Sequence, residues 1–173
     1  MREATMASDQ KVQFFRGADA RSLMELGAMK MAEMTPEQRA GLTSLVQAGY
    51  LEGDQVKVLV DAPGFHLTYA WLKRDYPLLL HSHDSDCLYY IVAGSLQMGV
   101  EELKAGDSFF VPANAAYQYR PGAEGVEVLE FRHVSTFDFR NLTKNPAFYE
   151  KAAATVAANV EHWRQATPPS AKA

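Results

Sequence analysis

The stretch PLLLHSHDSDCLYYIVAG, residues 77–94, decides how this chain is read. Two apolar segments flank a short polar turn. The first ends in His81-Ser82-His83. Residues two apart on a strand point to the same face, so both imidazoles can reach one metal ion. Histidine is the commonest metal ligand near neutral pH. In the second segment, alternation puts Cys87, Tyr89 and Ile91 on one face and Leu88, Tyr90 and Val92 on the other. Two histidines do not complete a coordination sphere, so the reading turns on what joins them.

Outward from this stretch the period stays at two. Segments 56–60, 65–73, 88–92, 96–100, 108–111, 116–119 and 126–134 read as strands. Ala93-Gly94-Ser95 closes one of them, and turns are expected at 61–64, 104–107 and 121–125. Many short strands at near-regular spacing predict an all-β sandwich or barrel. A short strand is expected at 12–15 and a helix at 19–34. A second helix starts at Thr35-Pro36-Glu37-Gln38, a capping box with Pro at the first helical position, and ends at Gly49. Asn145-Pro146 opens a last helix, about 146–165. The expected layout is a helical N-terminal extension at 1–49, a β-barrel at 50–140, and a C-terminal helix and tail at 141–173, all in one structural domain. Residues 1–9 are expected to be disordered.

Composition narrows the function classes. A length of 173 residues gives one domain with room for a core. The formal net charge of −4 argues against a duplex nucleic-acid binder. The single cysteine, Cys87, rules out an internal disulfide and fits a reducing compartment. No apolar run is long enough to span a bilayer, so a cytoplasmic protein without a membrane partner is expected.

The residues 77–121 resemble the cupins, small double-stranded β-helix (jelly-roll) barrels. Their first motif is G-x5-H-x-H-x3,4-E-x6-G. His81, His83 and Gly94 match it, Cys87 stands at the glutamate position and Asp75 at the opening glycine. The second motif is G-x5-P-x-G-x2-H-x3-N. Gly106 and Pro112 match, whereas Asn114, Tyr117 and Pro121 replace the glycine, the histidine and the asparagine. The resemblance implies a barrel interior lined by His81, His83, Cys87, Tyr89, Tyr117 and Tyr119. It also implies one divalent metal ion, iron first, otherwise Zn, Ni, Mn or Cu. Certain cupin lyases use a tyrosine two residues after the metal-binding glutamate as base, and Tyr89 has that offset from Cys87. Tyr89 and Tyr117 are therefore the candidate catalytic residues.

A further ligand must replace the two that are substituted. His133 is preferred, if the face of Leu129 and Phe131 is interior. If Glu130 and Arg132 face inward instead, Glu130 becomes the candidate ligand and Arg132 a grip for a substrate carboxylate. Asp86 and Cys87 are the other candidates. His66 lines the cavity or faces solvent, and His162 is expected at the surface. The resulting expectation is a mononuclear-metal, oxygenase-type enzyme acting on a small organic molecule. Tyr69, Trp71 and the interior tyrosines point to an aromatic or apolar substrate. A lyase or isomerase, or a binding module that has lost part of its metal site, is the alternative. Cupins often pair through their sheets, which implies a homodimer.

Overall fold

The computed structural model describes residues 11–172, so the expectation for 1–9 lies outside the described residues. Nine of the alternating positions from Asp54 onward form a long strand, and the rest of the chain is built on its pairings. The strands are β1 (Arg21–Ser22), β2 (Met29–Met31), β3 (Asp54–Ala62), β4 (Phe65–Leu72), β5 (His81–Ser82), β6 (Cys87–Met98), β7 (Glu101–Lys104), β8 (Ser108–Val111), β9 (Arg120–Arg132) and β10 (Phe137–Asn141). The helices are α1 (Leu23–Leu26), α2 (Pro36–Ala48) and α3 (Pro146–Gln165). One sheet runs β1-β3-β4-β9-β6-β7, with β8 also pairing β6; a second runs β2-β10-β5. A bridge between His81 and Tyr117 joins β5 to the segment between β8 and β9. The expected all-β jelly-roll barrel with a C-terminal helix is what the chain forms.

The inward residues of β4, β6 and β9 make the core with Leu45, Val156 and Trp163 from the helices. Helices α2 and α3 close the barrel end where Leu72 pairs Val126. Tyr50 stacks on Tyr76 at 4.6 Å, and the Trp163 indole donates to the Arg74 carbonyl at 2.9 Å. The N-terminal segment covers the other end, where Leu23 and Ala28 pack with Val58 and Phe137.

Both capped helices form as expected. Thr35 and Gln38 cap each other's backbone reciprocally, and Asn145 accepts from the Ala147 amide. The helix expected at 19–34 is instead one turn, α1, between strands β1 and β2, which join the two sheets. The available edges of β3 and β10 outweigh a loose helical stripe there. Residues 12–15 form no strand, and 116–119 contribute a single bridge. Two expected breaks are absorbed into strands. Ala93-Gly94-Ser95 lies inside β6, and 121–125 lies inside β9. Register shifts at Ile91/Ala93 and Gly94/Leu96 mark bulges, which turn a strand without ending it. Gly94 holds φ 75°, and a Cβ there would collide with the Gly125 carbonyl oxygen.

Candidate functional site

The bulges fix which face of each long strand looks inward. Tyr89 pairs Glu130, and Glu130 pairs Thr68; Arg132 pairs His66. Tyr89, Thr68, Arg132 and His66 are all buried. Glu130 and Arg132 therefore face the interior, and His133, one residue on, is exposed. This corrects the preferred third ligand: alternation carries His133 away from His81 and His83 once Arg132 is inside. Asp86 is also engaged elsewhere, accepting from the Ala113 amide at 2.7 Å.

His81 and His83 come from β5 and the residue after it. Each ring is oriented by a backbone carbonyl: His81 Nδ1 donates to Leu79 O at 2.7 Å and His83 Nδ1 to Asp138 O at 2.5 Å. A carbonyl only accepts, so the proton sits on Nδ1 and Nε2 carries the lone pair. Burial keeps both rings neutral, with His81 pushed down to about 3 and His83 also lowered. The neighbouring Arg132 guanidinium adds to both shifts. The two rings lie 5.0 Å apart, and His81 stacks on Phe139 at 4.7 Å. Tyr117, at the position of the motif histidine, sits 4.3 Å from the His81 ring.

Around the pair runs one polar chain. The Tyr117 hydroxyl is hydrogen-bonded to the Tyr89 hydroxyl, and Arg132 Nη2 donates to Tyr89 at 3.4 Å. Arg132 Nη1 donates to Glu130 Oε2 at 2.6 Å. Burial, then the Glu130 charge, raises both phenols well above their usual value. They hold their protons and act as donors. The base role expected for Tyr89 is therefore not prepared by its protein neighbours. Burial likewise pushes the Cys87 thiol up to about 12, so among its protein neighbours it is a protonated group. Burial alone would lower Arg132, but Glu130 beside it raises it overall and keeps it charged.

The lining also differs from expectation in its aromatics. Tyr69 and Trp71 lie on the opposite face of β4 from Thr68 and Ala70; Tyr69 donates to Glu127 there at 2.6 Å. Tyr89, Tyr117 and Tyr119 are interior as expected, with Phe109 stacked on Tyr89 at 4.4 Å. Alternation grouped His66 with Thr68, but only the pairing of β4 with β9 shows that this group faces Arg132. His162 is exposed as expected.

The donor set fits a metal in part. Two neutral imidazoles with oriented, unprotonated Nε2 atoms are the form in which histidine binds metals. No group of three or more His, Cys, Asp or Glu side chains able to hold a metal comes together among the described residues. The Glu130 carboxylate on the inner face is held by Arg132. Among the described residues, His81 and His83 are the two side chains whose donor atoms have the form a metal takes up.

No protein-family model matches the chain, and no curated protein matches it. Solved structures do. An RmlC-like cupin from Shewanella frigidimarina is 23% identical over 48% of this chain and 78% of that one, with a TM-score of 0.43. A polyketide cyclase from Streptomyces resistomycificus is 19% identical over 62% and 84%, with a TM-score of 0.48. A salicylate 1,2-dioxygenase from Pseudoaminobacter salicylatoxidans is 14% identical over 56% of this chain and only 32% of that one, with a TM-score of 0.43. The chain's own backbone bears independently on the motif register. Asp75, Gly94, Gly106 and Asn114 stand at the four motif glycines, and all have positive φ, at 58°, 75°, 95° and 64°. Asp and Asn are the non-glycine residues that best tolerate this conformation. With those four left-handed positions kept and His81 and His83 inside an antiparallel barrel, the chain has a cupin-type β-barrel fold.

Proposed function

We propose that the protein binds one divalent metal ion through His81 and His83 and acts on a small organic molecule in the barrel interior. The observation that carries this reading is the pair of Nδ1–H bonds to the Leu79 and Asp138 carbonyls, which leave both Nε2 atoms as lone-pair donors. Imidazole ligands suit Fe, Zn, Ni and Cu, and the resemblance to the cupins puts iron first and adds Mn. A bound metal would supply Lewis-acid polarisation of a substrate oxygen or activation of dioxygen. Oxygenase-type chemistry is the reading adopted, with lyase or isomerase chemistry next. Tyr89 and Tyr117 hold protons and donate to a substrate oxygen, while Arg132 and Glu130 orient Tyr89.

Metal analysis of protein purified without chelator tests this. About one metal per chain is expected, lost in His81→Ala and His83→Ala and retained in His133→Ala. Metal-free protein that stays folded and takes up no added Fe(II) refutes it.

A second reading has one observation in its favour. Arg132 lowers the proton affinity of both imidazoles, and the same charge repels a cation. On that reading the barrel binds its small molecule without metal. On either reading a second copy of the chain covers the exposed apolar outer face at Leu88, Tyr90, Phe110 and Phe131, giving a homodimer. Free, buried Cys87 fits the reducing conditions of the cytoplasm. No helix among the described residues is long and apolar enough to cross a membrane.

A further inference from the structure

The end of the barrel under Phe137 holds polar atoms that the metal reading does not use. Arg132 Nε, Thr68 Oγ1 and both ring nitrogens of His66 are buried and have no hydrogen-bond partner. Their residues are 4%, 0% and 2% exposed. His66 lies directly across from Arg132, and Thr68 directly across from Glu130, so the side chains project from adjacent positions on the inner face. Phe137 forms their common wall. The Arg132 guanidinium lies 4.0 Å from its ring centre, and the His66 ring meets it edge-on at 6.0 Å. The Asp61 carboxylate, 3.5 Å from His66 Nδ1, makes no hydrogen bond to it.

Leaving one such group unpartnered costs a domain stability, and here three residues cluster. A strand position that needs only packing takes Val or Ile, so hydroxyl, imidazole and guanidinium together mark a place where something polar sits. The unused hydrogens of Arg132 Nε and Thr68 Oγ1 call for an acceptor. Arg132 uses Nη1 on Glu130 and Nη2 on Tyr89, and the Nε edge of its planar fork is left for one planar acceptor group.

We infer that His66, Thr68 and Arg132 form a subsite for a carboxylate, which makes the ligand of the barrel a small organic acid. This rests on the interior being a small-molecule site but not on a metal being present. The carboxylate accepts from Arg132 Nε and Thr68 Oγ1, His66 lines its side, and Phe137 packs over it. The rest of the molecule extends toward Tyr89, Tyr117 and the histidine pair.

Calorimetric titration of chelator-treated full-length protein with benzoate, and with benzyl alcohol as its uncharged counterpart, tests the subsite separately from the metal. One benzoate per chain is expected, with benzyl alcohol bound at least about tenfold more weakly, as loss of a charged-group hydrogen bond implies. Thr68→Val is isosteric and removes an unpartnered hydroxyl, so it should melt at or above the parent temperature while weakening benzoate about fivefold. Arg132→Lys keeps the charge but loses the fork and should weaken it more than about tenfold. Absence of one-to-one binding at millimolar benzoate overturns the inference. So does equal affinity for benzyl alcohol, or a Thr68→Val protein that binds benzoate as the parent does. Metal failure with benzoate binding intact removes only the metal reading.

Discussion

The two faces of the β4-β9-β6 sheet invert the usual order at one end of the barrel. The inner face there carries His66, Thr68, Tyr89, Glu130 and Arg132, all buried or nearly so. The outer face carries Leu88, Tyr90 and Phe131, which are 45%, 41% and 43% exposed, and Phe110 on the adjoining β8 is 59% exposed. A soluble sheet normally alternates apolar inside with polar outside. Reversal costs stability on both faces, since the inside needs hydrogen-bond partners and the outside leaves apolar area in water. At the other end of the same strands the rule is kept: Ile91, Val126 and Val128 are fully buried. The difference separates an apolar-packed half of the barrel from a polar-lined half.

The most disruptive way to break that comparison is Arg132→Met. It strands the Glu130 carboxylate inside and should cost roughly 3–5 kcal/mol in urea unfolding. Adding Glu130→Gln should recover part of this, because the uncompensated charge is then gone. Full stability in the single variant would show that Glu130 escapes to water and that the inner face is not a closed polar site.

Acid is the next probe. His81 titrates at about 3 in the folded chain, against an ordinary 6.5. The unfolded state therefore binds more protons between these values, so the stabilising term is fully present above pH 6.5 and is lost as pH falls toward 3. Over that window the loss from this one group is roughly 3–5 kcal/mol. Urea midpoints measured from pH 7 to 4 should fall steeply, and His81→Gln should flatten the slope. An unchanged slope would mean that His81 is hydrated and protonates freely.

The mildest effect on the fold is expected outside. Phe131→Glu changes an exposed side chain, so unfolding free energy should move by no more than about 0.5 kcal/mol. Size-exclusion chromatography should nevertheless shift from dimer to monomer. A parent protein that already elutes as a monomer would leave the outer face unexplained by self-association.

Local chemistry was legible where one residue type serves one backbone state. The capping pairs Thr35–Gln38 and Asn145–Ala147 form as their spacing implies. The inward set Cys87, Tyr89 and Ile91 follows from alternation anchored on Gly94. Glycine substitutions at 75 and 114 looked like departures from the motifs, yet Asp75 and Asn114 keep the left-handed turns. Reading 121–125 as a turn failed because Pro and Gly can also bulge a strand that its neighbours hold in place. Residues 19–34 failed differently, since two short strands gained edges of β3 and β10 that lie distant in sequence.

By itself, the sequence determined the strand rhythm, the two capped helices, the left-handed turns and the shared face of His81 and His83, because each depends on neighbours within a few residues. Only the tertiary structure decided that Glu130 and Arg132, not His133, look inward, and that His66 and Thr68 meet Arg132. Period-two alternation defines two faces but assigns neither to the interior. That assignment comes from cross-strand register, which the bulges in β6 set against residues some forty positions away.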